Sequence, residues 1–193
     1  MAFRILRSSD YRRMRWKNGL GETAEVAIAP EGASLDDFDW RISMARLDAG
    51  GPFSAFPGID RTLSILSGTG LRLATGSASP VELRQDSMPF DFRGDEACES
   101  ALIDGTVTDL NVMTRRDRCW HQVRRLSTGR LRSIDGVRTL LVVPAAGPAR
   151  VSINGETVEL GPLDALSLGA APWIGEVSDD GPSGVLLVEI GRC

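Results

Sequence analysis

The sequence predicts an all-β protein of antiparallel strands, and three observations carry that expectation. Short segments in which apolar and polar residues alternate recur along the whole chain. The 21 glycines and 10 prolines are spread between those segments as turn punctuation instead of being gathered in a linker. Helical periodicity is scarce, with few short helices expected. Many short strands separated by turn signals argue for a sandwich or barrel.

Taken in order, residues 8–14 are compatible with a short helix capped by Ser8 or Ser9. Residues 23–29 alternate, with Ala24, Val26 and Ile28 on one face and Glu25 on the other. Residues 34–38 fit a single helical turn. Residues 40–47 alternate again, Trp40, Ile42 and Met44 against Arg41, Ser43 and Ala45. If the first set meets the apolar shell, Arg41 and Ser43 face either a cavity or solvent. Residues 63–66 and 71–74 flank Ser67-Gly68-Thr69-Gly70, a hairpin signature. Residues 140–143 and 185–190 are apolar enough for buried strands. Residues 151–153 and 157–160 flank Asn154-Gly155, the preferred dipeptide of a type I′ turn.

The hairpin at 151–160 and the segment 161–168 after it read as part of a second barrel. One compact unit spanning 1–193 is therefore expected, with halves near 1–115 and 138–193 joined within 114–138. A chain of 193 residues is long enough for one sizeable core or two small fused units. No low-complexity segment or short-period repeat is visible.

Composition narrows the partners. A net charge of -4 argues against a nucleic-acid or anionic-membrane surface. The cluster Arg115, Arg116, Arg118, Arg124 and Arg125 is expected to be solvated loop and edge-strand charge. Cys98, Cys119 and Cys193 are odd in number, widely spaced and without a CxxC pair, which points to reduced thiols in a cytoplasmic protein. No signal peptide is expected, and no stretch approaches the ~20 apolar residues of a membrane helix. Pairing through an edge strand into a homodimer is a further expectation.

The segment 51–70 carries the chemistry. It resembles the metal-binding strand pair of cupins, in which a glycine precedes His-x-His, then Glu, then six residues and a second glycine. Counting back from Gly68 puts Arg61 where that Glu belongs, and the His positions fall on Ser54 or Ala55 and on Phe56 or Pro57. The second cupin motif ends in His, three residues and Asn. Asn111 fits the Asn, but Val107 stands where the His belongs. His121 is the single histidine and cannot supply the imidazoles such a centre uses. No metal and no cofactor are expected. A guanidinium matches a carboxylate bidentately, so the expected ligand is a small carboxylate metabolite.

An inward arginine needs a partner, because a buried unpaired charge is very costly. For Arg61 that partner is a protein carboxylate or a ligand anion, and its position in the motif favours the ligand. Asp60 either orients Arg61 toward that ligand or forms an ion pair at a turn. Residues 15–23 place Trp16, Lys17 and Asn18 before a glycine-rich turn. Together they supply an aromatic wall, a cation and an amide, unless the segment is a turn with a core-anchored Trp. Asn111 is either a ligand hydrogen-bonding group or a satisfied strand amide, and Arg41 and Arg46 are weaker candidates. Cys119 and His121 share one face of a strand, but no oxyanion loop accompanies them. No Ser-His-Asp triad and no phosphate-cradling loop is present.

These blocks together resemble the HutD/Ves family. The likeness rests on Trp16-Lys17-Asn18-Gly19 with Gly21-Glu22-Thr23, on Phe38, Trp40-Arg41-Ile42-Ser43, on Gly51-Pro52-Phe53-Ser54 with Phe56-Pro57-Gly58 and Asp60-Arg61, and on Asp109-Leu110-Asn111-Val112-Met113 with Arg115-Arg116. It is strongest over residues 15–116. Gly19-Leu20-Gly21 departs slightly from an all-glycine run. The resemblance implies a single-chain bicupin of cupin-like β-barrels. It also implies a link to histidine utilisation in bacteria, as an accessory or regulatory component that senses a pathway metabolite. Urocanate and formylglutamate, both carboxylates, suit the arginine site. The leading expectation is a metal-independent sensor in which Arg61, Lys17, Asn18, Trp16, Asn111, Arg41 and Asp60 bind the ligand. The alternative is a metal-free isomerase, lyase or hydrolase with Lys17, Asp60, Glu25 or His121 as acid or base. A scaffold with a vestigial pocket is the third reading.

Overall fold

The computed structural model describes residues 3–143, 147–170, 172–178 and 184–192; Cys193 lies outside the described residues. Two compact units divide the chain, Arg12–Trp120, and His121–Cys193 together with Met1–Tyr11. Strand β1 (Phe3–Leu6) leads through a single 3-10 turn into β2 (Arg12–Arg15), β3 (Gly21–Ala29), β4 (Trp40–Leu47), β5 (Gly51–Pro52) and β6 (Ile59–Ser67). After them come β7 (Leu71–Thr75), β8 (Val81–Leu83), β9 (Phe90–Arg93), β10 (Cys98–Leu102) and β11 (Val107–Arg115). The second half of the chain forms β12 (Cys119–Leu126), β13 (Thr128–Arg132), β14 (Arg138–Val142), β15 (Ala149–Ile153), β16 (Glu156–Leu160), β17 (Ala165–Leu168), β18 (Ile174–Ser178) and β19 (Val185–Arg192).

In the unit 12–120 a six-stranded sheet, ordered β2-β3-β4-β11-β6-β9, accompanies a four-stranded sheet, β5-β10-β7-β8. Both contribute to one apolar cluster: Leu47, Leu63, Ile65 and Val107 come from the larger sheet, Leu71, Leu73 and Leu83 from the smaller. Among the described residues the paired strands run antiparallel, and along each strand the inward positions recur with period two. The other unit repeats the plan with sheets ordered β1-β17-β14-β19-β12 and β13-β18-β15-β16. Its cluster includes Leu141, Val151, Leu160, Leu166, Trp173 and Leu187.

The first strand belongs to this second unit. β1 runs along β17, pairing Ile5 with Leu166. The chain leaving it is tied down by Asp164, which accepts from Arg7 Nη1 at 2.6 Å and from the Ser8 amide at 2.8 Å. Tyr11 adds a bond from its hydroxyl to the Leu163 carbonyl at 3.0 Å.

The Asn154-Gly155 hairpin forms as expected, with Ile153 opposite Glu156 and φ of +51° and +84° at the turn residues. Three expectations change. The helix over residues 8–14 shrinks to the 3-10 turn Ser8–Asp10 with no side-chain cap, because residues 12–15 add to the sheet edge beside β3. The segment 67–70 does not join a hairpin. β6 pairs with β11 and β9, whereas β7 pairs with β10 and β8, so the turn carries the chain from one sheet to the other. Gly68 and Gly70 make that crossing possible: φ is +89° and +120°, and an added Cβ would lie 2.3 Å from the Thr106 carbonyl oxygen and 2.2 Å from that of Leu83. The arginine cluster is not merely solvated. Arg115 donates to the carbonyls of Phe38 and Asp36, Arg116 pairs with Asp60 and Asp95, Arg118 with Asp39, and Arg124 with Glu189.

Candidate functional site

One end of the barrel formed by residues 12–120 opens as a cavity of about 430 Å³. Its floor is set by strand alternation. Successive residues of a strand point to opposite faces, so Arg41 and Ser43 of β4, Arg61 of β6, and Asp109 and Asn111 of β11 share the inward face. The open choice for Arg41 and Ser43 is thereby resolved in favour of the cavity. Further inward, the same rows continue as Ala45, Leu63, Ile65 and Val107, which belong to the apolar cluster. A shallower depression of about 690 Å³ at residues 48–51 and 99–106 carries Asp48, Glu99 and Asp104 and no cation, which disfavours anions.

Arg61 is only 4 % exposed. Its Nε donates to Asn111 Oδ1 at 3.4 Å and its Nη1 to the Ser54 carbonyl at 3.1 Å. Phe53, Phe56 and Phe92 surround the guanidinium, with ring centroids 5.4, 5.5 and 4.8 Å from Cζ. Their faces attract a cation while excluding water. Burial pulls the Arg61 pKa down to about 10, Cys98 and Asp109 hold it up, and Arg41 lowers it further. It remains a cation at neutral pH. A guanidinium has five N–H groups, and those not used here meet no protein acceptor among the described residues.

Arg41, also buried, is neutralised. Its Nε meets Glu25 Oε2 at 2.8 Å and its Nη1 meets Ser43 Oγ at 3.3 Å. Arg61 has no such ion pair. The carboxylate on its side of the cavity is Asp109, which is fully buried and whose two oxygens lack a hydrogen-bond partner. Burial pushes the Asp109 pKa up to about 7; the Arg61 charge and the Ala45 backbone oppose that rise only in part.

The mouth is built by the turn after β2. Trp16 donates its indole N–H to Thr23 Oγ1 at 2.8 Å and packs on the apolar cluster. Gly21 leaves room for it: an added Cβ would sit 2.5 Å from the Arg46 carbonyl oxygen and 3.0 Å from the indole ring. Asn18 Oδ1 accepts from the Leu20 amide at 3.1 Å, which leaves its NH2 for another partner. Lys17 is exposed at the rim.

The structure thus brings Arg61, Lys17, Asn18, Trp16, Asn111 and Arg41 together around one cavity. Asp60 is not among them. It follows the opposite alternation from Arg61 and points to Arg116, whose Nε lies 2.8 Å from its Oδ1. Asp60 therefore cannot orient Arg61 directly, and it belongs to a clamp with Arg116 and Asp95, whose Oδ1 also accepts from the Gly58 amide. Arg46 pairs with Asp48 at the surface. Glu25 serves Arg41, and neither Cys119 nor His121 lines the cavity. Asp109 is the buried cavity residue that sequence reasoning missed. Its position two before Asn111 was the available signal, because residues i and i+2 of a strand share a face.

The residues present do not fit a metal centre. The motif's first two ligand positions fall on Ser54 or Ala55 and on Phe56 or Pro57, the third on Arg61, and Val107, at the fourth, is packed in the apolar cluster. Among the described residues no three His, Cys, Asp or Glu side chains converge on one point. The arrangement suits an anion instead: a fixed guanidinium, an amide beside it, a second cation at the rim and an aromatic wall.

A family model described as HutD matches residues 8–180. A Pseudomonas putida protein, an uncharacterized 21.2 kDa protein in the hutC 3′ region, is 34 % identical over 168 residues, covering 85 % of each chain. Protein Ves of Citrobacter koseri is 40 % identical over 119 residues, 60 % of this chain, and the match spans 61 % of the length of that relative. The structure of HutD from Pseudomonas fluorescens SBW25, in a formate condition, covers both chains completely with a TM-score of 0.84 at 29 % identity. A bacterial pirin from Escherichia coli in complex with nickel(II) shares the fold alone, with a TM-score of 0.65 at 10 % identity, 98 % of this chain and 99 % of its own being covered. The fold is cupin-like.

Proposed function

The chain belongs to the HutD family, and from that premise we propose that it is a metal-independent small-molecule-binding protein whose cavity takes an acidic metabolite of histidine breakdown and so regulates histidine utilisation. One observation carries this reading: a buried guanidinium, stacked among three phenylalanines and held by Asn111 and the Ser54 carbonyl, faces a cavity with hydrogen-bonding capacity left over. A carboxylate completes it with two charge-assisted bonds. The Asn111 NH2 supplies a further donor beside Arg61, Lys17 adds attraction at the rim, and Trp16 offers a flat face to a planar or extended ligand. Urocanate and formylglutamate are the pathway carboxylates that suit this arrangement.

The test is calorimetry and thermal shift of metal-stripped protein with urocanate, formylglutamate, glutamate and formate, repeated with Arg61→Ala. The expected outcome is stabilisation by a pathway carboxylate that the variant loses. Equal affinity in the variant, or stabilisation only by added metal, sinks the assignment.

A further inference from the structure

Arg61 and Asp109 are buried and line the same cavity without an ion-pair contact between them among the described residues. Asp109 is fully buried, its oxygens have no hydrogen-bond partner, and Arg61 donates to Asn111 and Ser54 rather than to it. The other charged or titratable groups around Asp109 are accounted for. On β4, Arg41 is tied to Glu25 of β3. On β10, the Cys98 thiol is pushed up to about 11 by burial and stays neutral near pH 7. Arg15 and Lys17, from β2 and the turn after it, are exposed at the rim. Arg61 on β6 is therefore the cation whose charge favours the ionised form of Asp109 against its burial.

We propose that an anion binding at Arg61 drives one proton from solvent onto Asp109, so that the cavity takes up a carboxylate and a proton together. This rests on the carboxylate reading above. Two carboxylates sharing one buried cation do not both stay ionised. The incoming anion keeps its charge because Arg61, Asn111 and the rim lysine solvate it. Beyond the weak support of the Ala45 backbone, Asp109 has no donor to replace the lost share of Arg61, and its oxygens are buried from water. The proton therefore settles on an Asp109 oxygen, with no other bond made or broken.

The sign follows from the position of the unliganded titration, about 7. Below that pH Asp109 already carries the proton and binding takes up none. Above it binding takes up one, and the dissociation constant rises about tenfold for each further pH unit until the liganded titration is reached. The cavity is thereby selective for anions and more retentive in acid.

The experiment is calorimetry of the full chain with formate and with N-formylglutamate at pH 6.5, 7.5 and 8.5, in zwitterionic HEPES and in Tris. Neither probe titrates in this range, and the two buffers differ in ionisation enthalpy, so their difference counts protons. Expected are uptake approaching one proton at pH 8.5 and a roughly tenfold weaker affinity there than at pH 7.5. Asp109→Asn should bind equally at all three values with no uptake, and Cys98→Ser should keep the unsubstituted behaviour. Carboxyl ¹³C titration of Asp109 in the unsubstituted protein, with and without formate, gives the answer should the asparagine variant fail to fold: the midpoint should move up. Binding without proton uptake, uptake that persists in Asp109→Asn, or an unmoved midpoint overturns the inference alone. Failure of both anions to bind at any pH overturns it together with the carboxylate reading.

Discussion

In the unit made of residues 121–193 and 1–11, Leu141, Val151, Leu160, Leu166, Trp173 and Leu187 share the interior, and the rows of Leu141 and Leu187 run on into the buried Thr139 and Glu189, the latter closed by an ion pair with Arg124. In the unit 12–120 the apolar filling reaches only part of the way. Leu63 and Ile65 of β6 give way to Arg61, and Val107 of β11 gives way to Asp109 and Asn111. Both units are built of two sheets, so the sheet architecture does not decide which one carries the arginine-lined cavity. What differs is a handful of inward positions at one end of the strands. The lesson is that polar inward residues alone do not make a candidate site: in one unit Glu189 is closed by its ion pair with Arg124, whereas in the other Arg61 keeps hydrogen-bonding capacity toward a cavity.

The largest expected effect breaks the comparison at its stable end. Leu166→Ala removes a fully buried side chain from the apolar unit and should cost about 2–5 kcal/mol in urea unfolding. The carboxylate affinity of the folded fraction should not change; a changed affinity would mean that the cavity depends on both units.

Asp109→Asn sharpens the contrast from the other side. The Asp109 pKa is raised from its ordinary 3.8 to about 7 in the native protein. Between those values the unfolded chain has released this proton while the native chain still holds it. Stability from this group is therefore complete below about pH 4, falls by about 1.4 kcal/mol per pH unit as pH rises, and levels off above about 7. Comparing unfolding of the two proteins from pH 4 to 8 should show this slope in the unsubstituted chain relative to the asparagine variant. Parallel curves would rule it out.

Arg61→Ala should weaken carboxylate binding by about 2–3 kcal/mol, the worth of hydrogen bonds to a charged group, read by calorimetry. Gly21→Ala forces a Cβ against the Arg46 carbonyl and the Trp16 ring, and an overpacking cost of about 1–3 kcal/mol is expected, with weaker binding if Trp16 walls the ligand. Asp60→Asn should be the mildest. Its ion pair with Arg116 is partly exposed, so less than about 1 kcal/mol of stability is at stake and affinity should hardly move. A large loss of affinity there would restore Asp60 to the site.

Much of this was readable from local pattern. The strands at residues 40–47, 140–143 and 185–190, the Asn154-Gly155 hairpin and the inward arginine all follow from period-two alternation, from turn chemistry and from a motif whose ligand positions hold the wrong residues. The errors share a cause. Ser67-Gly68-Thr69-Gly70 reads locally as a hairpin because glycine reports only that the backbone must turn, and the close approach to Thr106 and Leu83 at the crossing into another sheet is a long-range contact. Asp60 was read beside Arg61 because the two are adjacent in the chain, although adjacency on a strand places them on opposite faces. The face itself was correct for Arg41 and Ser43, but alternation says only that two faces differ, and pairing with β3 and β11 determined which one met the cavity.

By itself the sequence determined the all-β class, the strand rows and the likeness to the HutD/Ves family, because each rests on residue types at short spacing. The tertiary structure decided which rows converge on the cavity, that Arg41 is neutralised by Glu25 while Arg61 is not, and that Asp109 lies buried with no hydrogen-bond partner. Those outcomes depend on burial and on distances between strands far apart in the chain. A carboxylate's state is set by the solvent and charge around it, which no local stretch of sequence contains.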